Sequence, residues 1–343
     1  MLESKKRKQK QGSNQLTMHD VARVAGVSQM TVSRVMRGSG YISKDVKTKV
    51  EDAARSIGYI HNRLAGGMAG YDNPLVGVIV PTLQNRVFTE VLSGVSDALN
   101  DNGLRPVFGV SEYSMKREEE LVFDLLSWRP RGLILAGLEH TEAMRKIIQQ
   151  TGVRVAEIMD IDGDPIAASF GISQGEAGEH MADHLLSKGY ETFGYIANLA
   201  GMDLRAEKRF AGFRRRIEDA GRKIVDQRIS SDELTMLDGK KLTASLLEQS
   251  NPPQAIYYSN DDLAAGGLMH CLAEGIEVPK DVALAGFNGL GFLEAMPMQI
   301  TTIRTPRYEI GRAAAEWIVS GKEQTQDPVR HEFNADLISG ETS

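Results

Sequence analysis

The hydrophobic residues of this chain follow two different spacings, which divide it into a short first part and a long second part. Between residues 17 and 61, apolar residues recur every three or four positions, as they do on one face of an amphipathic helix. From Leu75 onward, short apolar runs alternate with amphipathic helical stretches, a pattern typical of α/β domains. The chain is therefore predicted to contain a small all-α domain followed by a large α/β domain.

The first of three predicted helices extends from Thr17 to Gly26. Thr17 is of a residue type that caps helix N-termini, and Asp20 places a negative charge in the first turn, where the helix dipole favours it. A glycine such as Gly26 commonly ends a helix. The inward face of this helix is predicted to consist of Val21, Ala22 and Val24.

Two further helices follow. Ser28 is predicted to cap the second, whose Val32 and Val35 face inward, so that its solvent side consists of Gln29, Met30, Ser33 and Arg34. The third is predicted to begin at Ser43, to end at Gly58 and to complete the core with Val46, Val50, Ala53, Ala54 and Ile57. Two helices joined at a Gly-containing turn and braced by a third form a helix-turn-helix. Similar three-helix patterns also occur in modules that bind no nucleic acid, so the spacing alone leaves the function open.

In the long second part, apolar runs bounded by turn residues predict seven strands, at 75–80, 105–110, 132–137, 153–159, 192–197, 254–259 and 282–287. Their alternation with helices predicts βαβ units in two halves, each a doubly wound parallel sheet. Ligands of such folds bind beyond the carboxyl ends of the strands, so the cleft between the halves is the predicted binding site.

Charge is distributed unevenly along the chain. Residues 1–70 contain thirteen Lys or Arg against five Asp or Glu, a charge of +8, whereas residues 71–343 carry −14 of the total of −6. A basic segment favours a polyanionic partner, because Lys and Arg neutralise phosphates and release condensed counterions. Residues 1–16, which include Lys5 and Lys6, are predicted to be a basic disordered tail, and a merely solubilising role remains open for it.

Composition narrows the class of protein further. A single cysteine, Cys271, in 343 residues excludes an intramolecular disulfide framework and favours a reducing compartment, so a cytoplasmic location is expected. The longest apolar runs, such as 75–80, are too short to cross a bilayer, and the basic N-terminus is not followed by the apolar region of an export signal.

The sequence lacks the motifs of several enzyme classes. Gly286, Gly289 and Gly291 do not have the spacing of a dinucleotide-binding loop, and His180 and His184 lack the glutamate of a zinc-protease helix. No nucleophile elbow is present, and Cys271 lies in an apolar helical run. We therefore predict no catalytic residues, no metal and no cofactor. A pure sugar-binding protein is the remaining alternative, but it would need export and would not need residues 1–70.

The segment DVARVAGVSQMTVSRVMRG closely resembles the DNA-binding headpiece of the LacI/GalR family of bacterial regulators. This resemblance implies that a recognition helix enters the major groove, with Gln29, Met30 and Arg34 at the positions that contact base edges. Such side chains can bind adenine, a thymine methyl group and guanine respectively. Backbone contacts or capping roles are implied for Thr17, Ser28, Thr31, Ser33 and His61, with capping preferred for Ser28.

The segment YIHNRLAGGMAG resembles the family's hinge, a short helix that folds on DNA and inserts an apolar side chain between base steps. Met68 stands at the inserting position, where the family usually has Leu, and Asn62 and Arg63 are implied as backbone contacts. Gly66 and Gly67 each cost a helix up to about 1 kcal/mol, so this hinge helix is expected to form less readily than is usual, and a plain flexible linker is the alternative.

Residues 75–343 resemble the family's effector-binding domain, hereafter the sensor domain, which is similar to periplasmic sugar-binding proteins. The fold class implied is an all-α helix-turn-helix headpiece plus an α/β sensor of two doubly wound parallel-sheet subdomains, crossing near 161–163, 288–292 and 320–330. The matching effector positions are Thr82, Asn85, Arg86, Phe88, Asp160, Arg209, Asn260, Phe287 and Asn288, whereas Asp261 is expected to cap a helix.

Two departures from the family pattern affect the predicted effector. Asn288 stands where the family most often has Asp, and replacing an acceptor-only carboxylate by an amide mildly favours an anionic ligand. Ser173 and Gln174 replace a usual Asp-Asn pair, so the rim of the site is expected to differ. The pieces NRVF, VAEIMD and ITTIRTPR are most similar to the gluconate-responsive branch of the family. The resemblance therefore implies gluconate or a related aldonic acid as effector, a homodimer, and a near-palindromic double-stranded DNA operator.

Overall fold

The computed structural model describes residues 16–37, 40–60, 73–321 and 327–343, and the chain divides into two compact units between Asp72 and Asn73. This division lies within the predicted hinge, residues 62–74. Residues 1–15 of the basic tail lie outside the described residues, as do the predicted DNA contacts His61, Asn62, Arg63 and Met68 and the hinge glycines Gly66 and Gly67.

The first unit contains the helices α1 (Met18–Ala25), α2 (Gln29–Arg37) and α3 (Lys44–Ile57). The carboxylate of Asp20 accepts hydrogen bonds from the backbone N–H and the hydroxyl of Thr17, and Ser28 Oγ accepts one from the Thr31 backbone N–H at 3.1 Å. Gly26 ends α1 with φ of 62°, a left-handed conformation that favours glycine. The predicted starts of α1 and α2 are therefore confirmed.

The headpiece core is built from one face of each helix, namely Val21, Ala22, Ala25, Val32, Val35, Val50, Ala53 and Ala54. The prediction that Val24 belongs to this core is wrong, because its side chain is 50% exposed. Positions 21, 22 and 25 share one helical face at three- and four-residue spacing, and position 24 lies beside that face. Ala25 therefore occupies the buried place.

The second unit contains the remaining elements. Its strands are β1 (Leu75–Val80), β2 (Arg105–Val110), β3 (Gly132–Ala136), β4 (Arg154–Ile158), β5 (Ala168–Gly171), β6 (Thr192–Ala197), β7 (Lys223–Ile229), β8 (Ala255–Tyr258), β9 (Ala283–Ala285), β10 (Thr302–Arg304), β11 (Val329–Glu332) and β12 (Asp336–Ile338). Its helices are α4 (Arg86–Asp101), α5 (Met115–Ser127), α6 (Glu142–Thr151), α7 (Gln174–Ser187), α8 (Leu204–Asp219), α9 (Met236–Leu247), α10 (Asp261–Glu274) and α11 (Arg307–Ser320), with a short 3-10 helix at Gly291–Ala295.

Two parallel sheets organise this unit into two subdomains. The first sheet has the strand order β11-β5-β4-β3-β1-β2 and the second has the order β7-β6-β8-β9. All pairings in these two sheets are parallel, and an antiparallel pair of β10 and β12 accompanies them. The predicted fold class, a helix-turn-helix headpiece with two parallel-sheet α/β subdomains, is confirmed.

The chain crosses between the subdomains at places that differ in part from the prediction. Strand β5 pairs with β4 through Ala156 and Ala168, so the chain leaves the first subdomain after Gly171 and not at 161–163. It returns between β9 and α11, a stretch that includes the predicted 288–292. The last crossing follows β11, which still pairs with β5, and therefore lies at 333–335 and not at 320–330.

Glycines bring the backbones of paired helices into direct contact. A Cβ atom on Gly178 of α7 would lie 1.9 Å from the carbonyl oxygen of Arg209 on α8, and one on Gly212 of α8 would lie 2.1 Å from the carbonyl oxygen of Gly175. Such distances are far below van der Waals contact, so only glycine fits at these two positions. The close contact fixes α8 against α7.

A buried ion-pair cluster ties α5, the β3–α6 loop and β4 together in the first subdomain. His140 Nδ1 lies 2.8 Å from Glu118 Oε2, and Nε2 lies 3.3 Å from Glu157 Oε1. Burial disfavours the charged imidazole, but the hydrogen bonds and negative charges of Glu118 and Glu157 outweigh burial and raise the pKa of His140 to about 9. The histidine is therefore held protonated at neutral pH.

This cluster predicts a pH dependence of folding stability. Because the pKa of His140 is raised from its ordinary 6.5 to about 9, its contribution is present below pH 6.5 and is lost as pH rises through 9. We expect the free energy of unfolding of the chain to fall by about 1 to 3 kcal/mol between pH 6.5 and 9.5. Urea denaturation at both pH values measures this difference. His140→Gln should remove most of the difference and His180→Gln should retain it, whereas an unchanged slope in His140→Gln would contradict the assignment.

Candidate DNA-reading surface and effector cavity

The start of α2 presents three unlike side chains to solvent. Gln29, Met30 and Arg34 are all exposed, Met30 by 66%, while the opposite side of the helix is buried through Val32 and Val35. Met30 and Arg34 are four residues apart and therefore share a helical face. An amide, a thioether methyl and a guanidinium on one exposed surface match the groups that read base edges in the major groove.

The predicted backbone-contact residues of the headpiece lie around the same helix. Ser28 uses its Oγ to cap α2, and this oxygen also lies 2.9 Å from Thr31 Oγ1. Ser33 is half-buried on α2, and Thr17 is exposed at the start of α1. The capping role preferred for Ser28 is confirmed, and the phosphate contacts remain predictions.

A cavity that is partly open to solvent lies between the two subdomains of the sensor domain. Its walls follow the carboxyl ends of strands and the starts of the following helices, where ligands of doubly wound folds bind. The lining residues are Asn85, Val87, Phe88, Tyr113, Met159, Gln174, Asn198, Leu199, Asp203, Arg205, Arg209, Ser259, Asn260, Phe287 and Asn288.

Six of the nine effector positions predicted from the sequence line this cavity together, namely Asn85, Phe88, Arg209, Asn260, Phe287 and Asn288. The structure places Thr82 and Arg86 outside the lining. Thr82 Oγ1 accepts a hydrogen bond from the Gln84 backbone N–H at 3.1 Å, and the exposed Arg86 guanidinium lies 4.8 Å from the centre of the Phe292 ring. Local turn geometry and surface packing therefore occupy these two side chains.

Asp160 also lies outside the lining, in an ion-pair cluster next to the cavity. The Nζ of Lys208 on α8 lies 2.6 Å from Asp160 Oδ2 and 2.6 Å from Glu139 Oε1. Burial lowers the pKa of Lys208, but its hydrogen bonds to these two carboxylates outweigh burial and raise it. Lys208 therefore joins the second subdomain to loops of the first, and it occupies the carboxylate that was predicted to face the ligand.

Four helices begin at the cavity, and each is capped by a polar side chain. Asn85 Oδ1 accepts from the Val87 N–H of α4 at 3.0 Å, and Asn260 Oδ1 accepts from the Leu263 N–H of α10 at 2.9 Å. Ser173 and Asp203 cap α7 and α8 in the same way. The positive ends of four helix dipoles therefore converge on the cavity, and this arrangement favours a negatively charged ligand.

The guanidinium of Arg209 is held by three neighbouring residues. Its Nη1 donates to Gln174 Oε1 at 2.5 Å, its Nη2 donates to the Ser259 carbonyl oxygen at 2.9 Å, and its plane lies 3.6 Å from the centre of the Phe287 ring. All four residues line the cavity. Arg209 thus connects α7, α8, the end of β8 and the end of β9 at one point.

The segment after β9 is held by two buried charged residues. Arg307 donates to the carbonyl oxygen of Asn288, which has a φ of 116°, and binds both carboxylate oxygens of Glu90 at 3.0 and 3.1 Å. Asp261 accepts from the Leu290 N–H at 2.8 Å and from Thr302 Oγ1 at 2.7 Å, and burial raises its pKa to about 7. The expectation that Asp261 caps α10 is wrong, because Asn260 is the cap.

Sequence reasoning missed several lining residues, and some of them had a detectable signal. Asn198 and Ser259 follow the carboxyl ends of β6 and β8, the same rule that singled out Asn260. Arg205 precedes Arg209 by four residues on α8 and therefore shares its face. Tyr113 follows β2 in a loop whose course the sequence does not reveal.

Two further features bear on the class of site. Within the described part of the chain, no group of three or more His, Cys, Asp or Glu side chains is arranged to hold a metal ion. Among the helices that the structure describes, none is both long and apolar enough to cross a membrane.

Comparison with known proteins identifies the class to which this architecture belongs. Residues 17–62 match the family of bacterial regulatory proteins called lacI, and residues 182–343 match the periplasmic binding protein-like domain. The chain belongs to the lacI family, and it is a DNA-binding transcriptional regulator.

Individual relatives resemble it over nearly their whole length. The HTH-type transcriptional regulator GntR of Pseudomonas aeruginosa is 38% identical over 90% of each chain. A LacI-family transcriptional regulator from Silicibacter pomeroyi has a crystal structure that matches with a TM-score of 0.90 and 41% identity, covering 95% of this chain and 99% of that one. The structure of the regulator GntR from Chromobacterium violaceum matches with a TM-score of 0.73 and 31% identity, covering 78% of this chain and 99% of that one.

Proposed function

We propose that this regulator represses genes for the catabolism of gluconate-type sugar acids, and that a sugar acid bound in the cavity switches its affinity for operator DNA. The observation that carries the choice of effector is the charge of the cavity wall. The charged residues of its lining are Arg205 and Arg209 against the single carboxylate of Asp203, and four helix N-termini add positive potential. A polyhydroxy acid is complementary to this wall.

The remaining lining residues suit the hydroxyl groups of such a ligand. Asn85, Asn198, Asn260, Asn288 and Gln174 supply amides, which donate as well as accept hydrogen bonds. Phe88 and Phe287 supply apolar faces for the carbon chain. An aspartate in place of Asn288 would repel a carboxylate, so the amide at this position also supports an anionic effector.

Binding without catalysis is part of the proposal. The cavity lining contains no His, Cys or Lys, and its one serine hydroxyl, on Ser259, lies 3.3 Å from the Asn198 amide oxygen and has no base beside it. The relative of Pseudomonas aeruginosa carries the name of a transcriptional regulator. We further propose that the chain acts as a homodimer on a near-palindromic operator in the cytoplasm, at the nucleoid, because one headpiece contacts too little DNA for useful specificity.

Operator titrations with and without D-gluconate test the effector class. The affinity of the purified chain for operator DNA is expected to change at least about tenfold when gluconate saturates the sensor, corresponding to a coupling free energy of about 1.4 kcal/mol. D-Glucose and D-sorbitol serve as neutral comparisons. A neutral sugar that switches DNA binding, while gluconate and other aldonates do not, would overturn the proposed effector.

Arg34 provides a test of the DNA-reading surface. Arg34→Ala is expected to weaken binding to the cognate operator by about 1 to 3 kcal/mol and to relax the base preference at one position of each half-site, because a bidentate contact to guanine is lost. This effect is measured with a set of operators in which each position is replaced in turn by each of the other three bases. Arg55→Ala on α3, which is exposed and 3.9 Å from Glu51, is the matched control and should leave the base preference intact. Equal losses on cognate and random DNA in Arg34→Ala would contradict the assignment of α2.

A further inference from the structure

Two hydrogen-bond donors at one end of the effector cavity make few or no hydrogen bonds to the residues that the structure describes. They are the guanidinium of Arg205 on α8, with a long bond to Asp203, and the hydroxyl of Tyr113 in the loop between β2 and α5. Both residues, with Asp203, also line an adjoining cavity, so they lie at the junction of the two spaces. Their positions define one end of the effector site.

Arg205 is a partly buried arginine with little hydrogen bonding. Its side chain is 13% exposed, and among the described residues its Nε donates to Asp203 Oδ1 at 3.4 Å. The same Asp203 oxygen caps α8 through the Ala206 N–H at 3.4 Å. The two Nη groups form a planar fork that matches a carboxylate, and the single bond from Nε to Asp203 leaves this fork available.

Arg209, by contrast, uses its guanidinium to hold other residues of the cavity wall. Both of its Nη groups donate to protein oxygens, on Gln174 and on Ser259, and its plane stacks on Phe287. Among the described residues, Arg205 has the long bond from Nε to Asp203 and the more distant Phe88 ring, whose centre lies 5.4 Å from its Cζ. The two arginines therefore differ in role, although they are four residues apart on the same helix.

Tyr113 is held in an unfavourable backbone conformation with its hydroxyl buried. Glu112 and Tyr113 have φ angles of 52° and 58°, in the left-handed region that non-glycine residues rarely adopt. The loop is fixed by the Glu112 N–H, which donates to the Pro81 carbonyl oxygen at 2.9 Å. The Tyr113 Oη is buried and makes no well-aligned hydrogen bond within the part of the chain that the structure describes, although the Asn85 side chain lies beside it and favours a lower pKa. An unsatisfied buried hydroxyl is costly, so a ligand acceptor is the natural partner for it.

Burial and the surrounding charges keep the Tyr113 hydroxyl protonated, so it can donate a hydrogen bond. Burial is the largest influence on Tyr113 and raises its pKa, and the negative charge of Asp203 acts in the same direction against the opposing charge of Arg205. The phenol is therefore protonated throughout the neutral range. A carboxylate oxygen beside Arg205 can accept its proton in a hydrogen bond.

We propose that Arg205 and Tyr113 form the carboxylate subsite of the effector cavity, and that this pair determines the preference for sugar acids over neutral sugars of the same length. The inference rests on the proposed function and adds to it the orientation of the ligand. The acid end lies at the junction with the adjoining cavity, and the hydroxyl chain extends past Phe88 towards Arg209 and Asn288.

Calorimetric titration of the full chain with D-gluconate and D-gluconamide tests the pair directly. The two probes share the same hydroxyl chain and differ in whether the terminal group is charged. The wild-type chain is expected to bind gluconate more tightly, and Arg205→Gln should reduce the ratio of the two dissociation constants by about 10- to 100-fold, as expected for losing a charge-assisted pair. Tyr113→Phe should reduce the ratio by about tenfold. Arg214→Gln removes an exposed arginine from the same helix and should leave the ratio unchanged.

Conservative variants separate ligand recognition from packing. Arg205→Lys keeps the charge but not the fork, so an intermediate ratio is expected, whereas a purely structural role would weaken both probes equally. If the wild-type chain prefers gluconate and both Arg205→Gln and Tyr113→Phe keep that preference, the subsite is wrong and the proposed function stands. If the wild-type chain binds gluconamide or glucose as tightly as gluconate, the sugar-acid effector and the subsite both fail. Should Arg205→Gln not fold, Tyr113→Phe and Arg205→Lys decide the outcome.

Discussion

Replacing Arg209 by glutamine is expected to weaken effector binding by at least about 100-fold, as the loss of a buried charged group with several hydrogen bonds predicts. The buried guanidinium donates hydrogen bonds to Gln174 and to the Ser259 carbonyl oxygen and stacks on Phe287. Its loss is therefore expected to free three other residues that line the cavity. Glutamine cannot reach all three partners. Calorimetry with gluconate measures the loss, and thermal denaturation shows how much of it comes from folding.

Two further variants test whether the loss of gluconate binding is specific to Arg209. Arg214→Gln makes the same chemical change on the exposed side of α8 and should leave the dissociation constant for gluconate unchanged. Arg209→Lys should recover little, because a single ammonium cannot bond Gln174 and Ser259 and also stack on a ring. If a folded Arg209→Gln variant bound gluconate as tightly as the wild-type chain, the cavity would not be the effector site.

Replacing Gly178 by alanine is expected to destabilise the sensor domain by about 3 kcal/mol, because the added methyl group overlaps the backbone of α8. The new Cβ would lie 1.9 Å from the Arg209 carbonyl oxygen and 2.8 Å from the Phe213 nitrogen, and neither is a side chain that can rotate away. Helix α8 must therefore shift away from α7. Since α8 carries Arg205 and Arg209, gluconate binding should weaken in the fraction that still folds.

Gly175 provides the matched control on the same helix. A Cβ at Gly175 meets no atom closer than 3.6 Å, and alanine is the better helix former, so Gly175→Ala should be neutral or stabilising by up to about 1 kcal/mol. Urea denaturation of both variants gives the comparison. Equal stabilities of Gly178→Ala and Gly175→Ala would show that α7 and α8 do not pack backbone to backbone.

Strong local patterns made much of the fold predictable. The seven predicted strands correspond to β1, β2, β3, β4, β6, β8 and β9, which are largely apolar runs, and the three headpiece helices begin at the expected caps. By contrast, β7 lies at the edge of its sheet, and its side chains alternate between exposed and half-buried, so it lacks the apolar run of a central strand. Strand β11 is exposed along its whole length and is held by pairing with β5. Both were missed because pairing partners distant in sequence create them.

The effector site likewise contains residues that the sequence predicted and residues that it did not. Asn85, Asn260 and Asn288 follow strands, so the rule that ligands bind beyond carboxyl ends placed them at the cavity. Asp160 follows a strand too, yet Lys208, 48 residues away, takes up its carboxylate. Tyr113 reaches the cavity through two consecutive left-handed residues, for which its sequence offers no glycine or asparagine as a signal.

What the sequence by itself determined is the set of properties fixed by neighbours within a few residues. These are the helical faces of the headpiece, the central strands, the caps at Thr17 and Ser28, and the basic first part of the chain. The tertiary structure alone decided which strands close the edges of the sheets, where the chain crosses between subdomains, and which charged groups are already paired and which are left for a ligand. The physical reason is that pairing depends on atoms brought together from distant parts of the chain. Arg205 and Arg209 have the same local chemistry, and only their partners across the cavity distinguish them.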